Sequence, residues 1–177
     1  MTKLKIDLSE LEAAFDDHSG LITYYLDKET GSIVFVTDDT YRELKEIYES
    51  YRDAQTHNVD WEAAFQEERI ADWHQEELQD AHRVEQSLGS RFVEIPPLPS
   101  HEGFGDMEEF IDTVRDLRLQ QRLERSIRER HPFRGFKMAL DYYPAERQRW
   151  FKFKTERMRE RAVDWLASEG IELDEVE

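Results

Sequence analysis

Residues 21–36 read LITYYLDKETGSIVFV. Two runs rich in β-branched and aromatic residues flank the polar segment DKETG, and Gly31 can take the positive φ that a short hairpin loop requires. The stretch predicts an antiparallel hairpin in a chain whose other long segments read as helix. A two-stranded hairpin is marginal in water, so further strands or apolar helix faces must cover it.

Upstream, IDLSELEAAFDDHSG (residues 6–20) predicts a short helix. Asp7 and Glu10 stand at capping-box spacing, Leu8, Leu11 and Phe15 recur at helical intervals, and Ser19-Gly20 closes it. Downstream, Thr37 or Asp38 caps a second helix that carries Tyr41, Leu44, Tyr48 and Tyr51 on one face. Residues 58–89 are also helical in pattern, yet Trp61 and Phe65 point one way and Ile70, Trp73, Val84 and Leu88 another. Either a break falls near Glu67 or the helix packs on two sides. Gly89 ends this segment, and RFVEI (91–95) predicts a third strand.

PPLPSHEGFG (96–105) reads as a connector. A helix is expected to start beyond it at an Asp106/Glu109 capping box, ahead of Met107, Phe110, Ile111 and Val114. Leu119, Leu123 and Ile127 follow at i+4, and two further helices occupy residues 133–143 and 145–170. The fold class is α+β: mostly helical, with a small antiparallel sheet made of the N-terminal hairpin and a third strand, and a helical C-terminal region. A single domain spanning 1–177 is expected, subdivided into an acidic α+β part (1–95) and a basic helical part (106–177).

Bulk properties agree with a folded domain. The 177 residues are 37% charged, with a mean hydropathy of −0.84, but 12% aromatic and 38% apolar residues supply burial that disordered chains lack. A chain of this size buries roughly 70% of its unfolded surface. Cysteine is absent, which excludes disulfides, thiolate zinc sites and cysteine nucleophiles. The N-terminus alternates charged and apolar residues without an apolar core, so no signal peptide is expected, and no apolar run reaches the roughly 18 residues of a membrane span. A cytoplasmic protein without a membrane partner is the expectation.

Charge is distributed unevenly. Residues 113–161 hold 15 Lys or Arg against 7 Asp or Glu, a net of +8, whereas the remaining residues hold 9 against 34, a net of −25. Such asymmetry bears on partners rather than on fold. It is densest in RQRWFKFKTERMRERA (147–162). On a helical wheel Phe151, Met158, Ala162, Trp165 and Leu166 form an apolar arc, and Phe136, Trp150, Phe151, Trp165 and Leu166 are expected to pack together. Phe153 falls off that arc. Lys152 and Arg159 lie on one side of the helix, with Arg149 a little further round. Arg149, Lys152, Phe153 and Arg159 are therefore the candidate contact residues, the cations for phosphates or carboxylates and the ring for an unpaired base. The plainer reading is a solvated face, or a match to the protein's own acidic residues.

Recognisable catalytic patterns do not occur. The glycines form no phosphate-cradling loop and no nucleophile elbow is present. His74 and His82 lie two helical turns apart, each with a Glu three residues on, whereas His ligand pairs on helices usually sit at i, i+4. Asp39, Glu43 and Lys45 fall on a helix and not on adjacent strand positions. No catalytic residue, metal or cofactor is assigned.

YYLDKETGSIVFV, RFVEIPPLPS, DMEEFIDTV and FRGFKMALDYYPAERQRWFKFKTERMRERAVDWLASEGI together resemble bacterial uncharacterised protein family 0158. The last block is the most specific, through the order of Phe136-Lys137, Leu140, Pro144, Trp150-Phe151, Arg157, Arg161 and Trp165-Leu166. The resemblance implies a bacterial intracellular setting and brings no activity, cofactor or catalytic residue with it. The acidic segment from Asp38 to Glu85 departs most from the family pattern. The reading is a non-enzymatic binding or regulatory protein whose basic C-terminal helices take an anionic partner, an acidic protein or single-stranded nucleic acid. A homo-oligomer joined by acidic-to-basic contacts and an enzyme of unrecognised kind are the alternatives.

Overall fold

A computed structural model describes residues 2–174. The fold is α+β. The described residues divide into two compact units, residues 2–96 with 171–174, and residues 97–170.

The first unit is built around the hairpin. Strand β1 (Thr2–Leu4) leads to helix α1 (Leu8–Asp16), whose N-cap Asp7 accepts hydrogen bonds from Ser9 N at 2.8 Å and Glu10 N at 3.3 Å. Strands β2 (Ile22–Asp27) and β3 (Ile33–Thr37) then pair antiparallel, from Ile22 opposite Thr37 to Leu26 opposite Ile33. Gly31 turns the loop at φ +80°, and a Cβ there would stand 2.5 Å from the Lys5 carbonyl oxygen. Both the turn and the close approach require glycine.

Thr37 caps α2 (Asp38–Tyr51), which buries Leu44 and Ile47. Helices α3 (Trp61–Glu67) and α4 (Asp72–Ser87) are separate, so the break near Glu67 is the realised alternative, with Arg69 at φ +54° in the joint. Strand β4 (Phe92–Ile95) adds to the free edge of β2, giving the order β3-β2-β4. Leu44 and Ile47 of α2 and Leu78, Ala81 and Val84 of α4 cover this sheet at Tyr25, Val36 and Phe92. Asp27, 4% exposed at the end of β2, accepts two hydrogen bonds from Arg91, Nε at 3.0 Å and Nη2 at 2.6 Å. β5 (Ile171–Leu173) pairs parallel to β1. Neither β1 nor β5 is predicted from the sequence, because each has only three residues and is defined by its partner.

The second unit is four helices: α5 (Ser100–Asp112), α6 (Leu117–Ile127), α7 (Pro132–Leu140) and α8 (Pro144–Ser168). Helix α5 corrects the expected start at Asp106, since it begins six residues earlier and runs through Gly103 and Gly105. Asp106 is no cap; it is buried inside the helix and accepts from Arg161 of α8, at 2.6 and 2.7 Å. Gly103 lets α5 approach Phe133, whose ring lies 3.3 Å from where a Cβ would be. Met107, Phe110, Leu119, Leu123, Phe136 and Trp150 centre the core of this unit.

The aromatic packing also departs from the wheel. Phe136, Trp150 and Leu166 are buried, but Phe151 is 49% exposed and Trp165 half-buried. Phe153 instead joins the core, against Phe110 at 5.7 Å and Trp150 at 5.9 Å between ring centroids. The buried side of α8 follows the i+4 row through Trp150, Met158, Ala162 and Leu166. Beside it runs a second row, Phe153, Arg157 and Arg161, whose cations meet acids of α5: Arg157 pairs with Glu109, and Arg161 with Glu102 and Asp106. A wheel ranked by hydrophobicity rotates away from a face whose charges are neutralised by a neighbouring helix.

Candidate basic surface

Three of the four sequence-predicted contact residues come together. Arg149, Lys152 and Phe153 line a hollow of about 270 Å³ with Phe110, Thr113 and Glu156, while Arg159 is exposed and lines no part of it. The hollow is largely satisfied from within. Arg149 donates Nη1 to the Thr113 carbonyl at 3.2 Å and Nη2 to Thr113 Oγ1 at 2.8 Å, stands 3.0 Å from Glu146 Oε2, and lies 4.9 Å over the Phe110 ring. Lys152 pairs with Glu156 at 3.8 Å. Phe153 carries the Arg157 guanidinium 5.3 Å above its ring.

A second hollow, of about 560 Å³, lies between α6 and α7. Arg118, Arg122 and Arg125 form one wall, at i, i+4 and i+7 along α6, and Met138, Ala139 and Tyr143 supply apolar surface opposite. The helices meet closely beside it, where a Cβ on Gly135 would stand 3.1 Å from the Ser126 carbonyl oxygen. Arg122 lies 5.0 Å over the ring of Tyr142, which is 74% exposed.

The two hollows differ in how their cations are matched. In α8, Arg147, Arg149, Lys152, Arg157 and Arg161 all pair with carboxylates. From Arg115 to Lys137 there are eight Lys or Arg against three Asp or Glu. None of those eight cations has a carboxylate within 4 Å among the described residues. The sequence carries a trace of this contrast, since Glu146, Glu156 and Glu160 stand at i±3 or i+4 from α8 cations, while Arg118 and Arg122 have only Arg or neutral residues at those spacings within α6.

Two histidines of the first unit are held by neighbouring side chains. His74 bridges α2 and α4, with Nε2 2.5 Å from Glu43 Oε2 and Nδ1 2.7 Å from Glu77 Oε2. Burial opposes its charge, but the two carboxylates outweigh that and hold its pKa above the ordinary histidine range. His82 packs edge-on to Trp61 and contacts the Tyr48 hydroxyl at 2.7 Å; burial pushes its pKa down. The two rings have different partners, and no group of three or more His, Asp or Glu side chains that could hold a metal ion is found among the described residues. No helix among those residues is long and apolar enough to cross a membrane.

Residues 51–175 match the model of an uncharacterised protein family (UPF0158). The chain is similar to the UPF0158 protein PA5073 of Pseudomonas aeruginosa, 34% identical over 82 residues that make up 46% of this chain and 54% of that relative. The match thus spans about half the relative's length. No solved structure matches the chain.

Proposed function

We propose that this chain, which belongs to the uncharacterised protein family UPF0158, works as a binding protein whose basic helical unit takes an anionic partner. The observation that carries this reading is the run of eight cations from Arg115 to Lys137 without a carboxylate partner among the described residues. A guanidinium satisfied by an internal carboxylate has little left to offer, whereas one held only by water exchanges that water for a phosphate or carboxylate, with bidentate geometry available. On α8, Lys152 pairs with Glu156, and Arg149 and Phe153 hold the α5–α8 packing, so the contact proposed here lies on α6 and α7. The partner is an acidic protein segment or single-stranded nucleic acid, and the role is non-enzymatic.

Fluorescence anisotropy tests this with labelled polyanions at about 0.05 M salt, where phosphate contacts dominate. Saturable binding of single-stranded RNA, single-stranded DNA or poly-glutamate, weakened by added salt, is the expected result. Absence of binding to all of them overturns the reading.

A further inference from the structure

We propose that the α6–α7 groove is a binding site for single-stranded nucleic acid, with Arg118, Arg122 and Arg125 on consecutive phosphates and Tyr142 as the surface on which a base stacks. The proposal rests on the binding function above and gives it a place and a partner.

The three arginines are placed against the interest of their own helix. Arg118 and Arg122 stand at i, i+4 and Arg122 and Arg125 at i, i+3, where like charges repel. Arg118 also sits in the first turn of α6, where the exposed amide ends of the helix disfavour a cation. No carboxylate lies within 4 Å of them among the described residues; Glu129, which lines the same hollow at i+4 from Arg125, forms no ion pair with it. A chain that keeps a repelling row on one wall of a groove retains charge that an external anion can neutralise. All three are arginine, the side chain whose planar fork matches two phosphate oxygens at once.

Spacing and shape narrow the anion. At about 1.5 Å rise per residue the three Cα atoms are spread over about 10 Å of helix, so the flexible side chains can follow neighbouring phosphates of one strand. The opposite wall is apolar at Met138 and Ala139, and Met138 is 55% exposed. The volume of about 560 Å³ falls within the roughly 300–1,000 Å³ of sites that enclose small ligands. A concave site of that size admits a splayed nucleotide better than the closed side of a duplex. Tyr142 is mostly exposed and already carries Arg122 over its ring, the combination of aromatic and guanidinium surfaces on which unpaired bases stack. An acidic peptide would satisfy the arginines and leave the ring unused. The net of −25 outside residues 113–161 repels dense polyanions at long range, which handicaps duplex more than a short single strand, and is screened beyond about 8–10 Å near physiological salt.

The test uses the full chain, with single-stranded RNA and DNA of about 12 nucleotides, within the length that single-strand sites occupy, their duplex, and poly-glutamate. Wild type is compared with R118Q/R122Q/R125Q, Y142A and, on α8, K152Q/R159Q. Glutamine keeps α6 helical and removes the Arg–Arg repulsion, and circular dichroism checks the fold of each variant. Wild type should bind single strands more tightly than duplex or poly-glutamate. The α6 variant should lose roughly tenfold or more in affinity, and its log affinity against log salt should become less negative by about 2, or about 0.7 for each of three lost contacts. Y142A should weaken single-strand binding without changing that slope, and K152Q/R159Q should leave affinity unchanged. Equal or tighter binding of poly-glutamate overturns the nucleic-acid partner while the binding function stands. Loss in K152Q/R159Q equal to that in the α6 variant overturns the groove. Failure of every polyanion to bind overturns both.

Discussion

Arg161 shows how one side chain changes meaning between sequence and structure. By composition it is one more cation in a basic helix. In the fold it is mostly buried, donates to both carboxylate oxygens of Asp106 and reaches Glu102 at 2.8 Å. Truncating one member of such a pair strands the other without a partner. Arg161→Ala is therefore expected to cost about 3–5 kcal/mol in urea unfolding, and replacing Arg161 and Asp106 together by apolar residues should cost much less than the sum of the single changes. Additive losses would mean the two groups act independently. Phe151 and Phe153 exchange places relative to the wheel for the same cause: hydrophobic ranking places Phe151 inside, but the charged residues that α5 neutralises turn the helix and bring Phe153 in.

At the scale of elements, caps and turns were the most legible features. Asp7, Thr37, Gly31 and Gly89 each act within a few residues of themselves, so local chemistry suffices to place them. The start of α5 was not legible, because glycines and a histidine in SHEGFG are poor helix formers and only packing against Phe133 and Arg161 recovers the helix. Two of the three helical glycines provide an opposed pair of tests. A Cβ at Gly105 meets nothing within 4 Å, so Gly105→Ala should raise stability by about 0.5–1 kcal/mol. Gly135→Ala presses on the Ser126 backbone at 3.1 Å and should lower the unfolding midpoint despite the better helix propensity of alanine. A rise at both positions would mean that α6 and α7 yield readily where they meet.

For the whole molecule the governing fact is a bipolar charge distribution, +8 within residues 113–161 and −25 outside them. If the unmatched arginines of one copy met the acids of another, the assembly would weaken with salt as screening shortens below about 10 Å above 0.1 M. With the groove reserved for an external strand, the mass by light scattering should be the same at low and high salt; a mass that falls with salt would favour the self-associating alternative. The sequence by itself determined the α+β class, the hairpin and its third strand, the caps at Asp7 and Thr37 and the segregation of charge, because these depend on residue periodicity, turn chemistry and counting. Tertiary structure alone decided the parallel pairing of β1 with β5, the early start of α5, which face of α8 is buried, and which cations are left unmatched. Those features depend on groups distant in sequence: a three-residue strand exists through its partner, and whether an arginine is neutralised depends on the helix packed beside it.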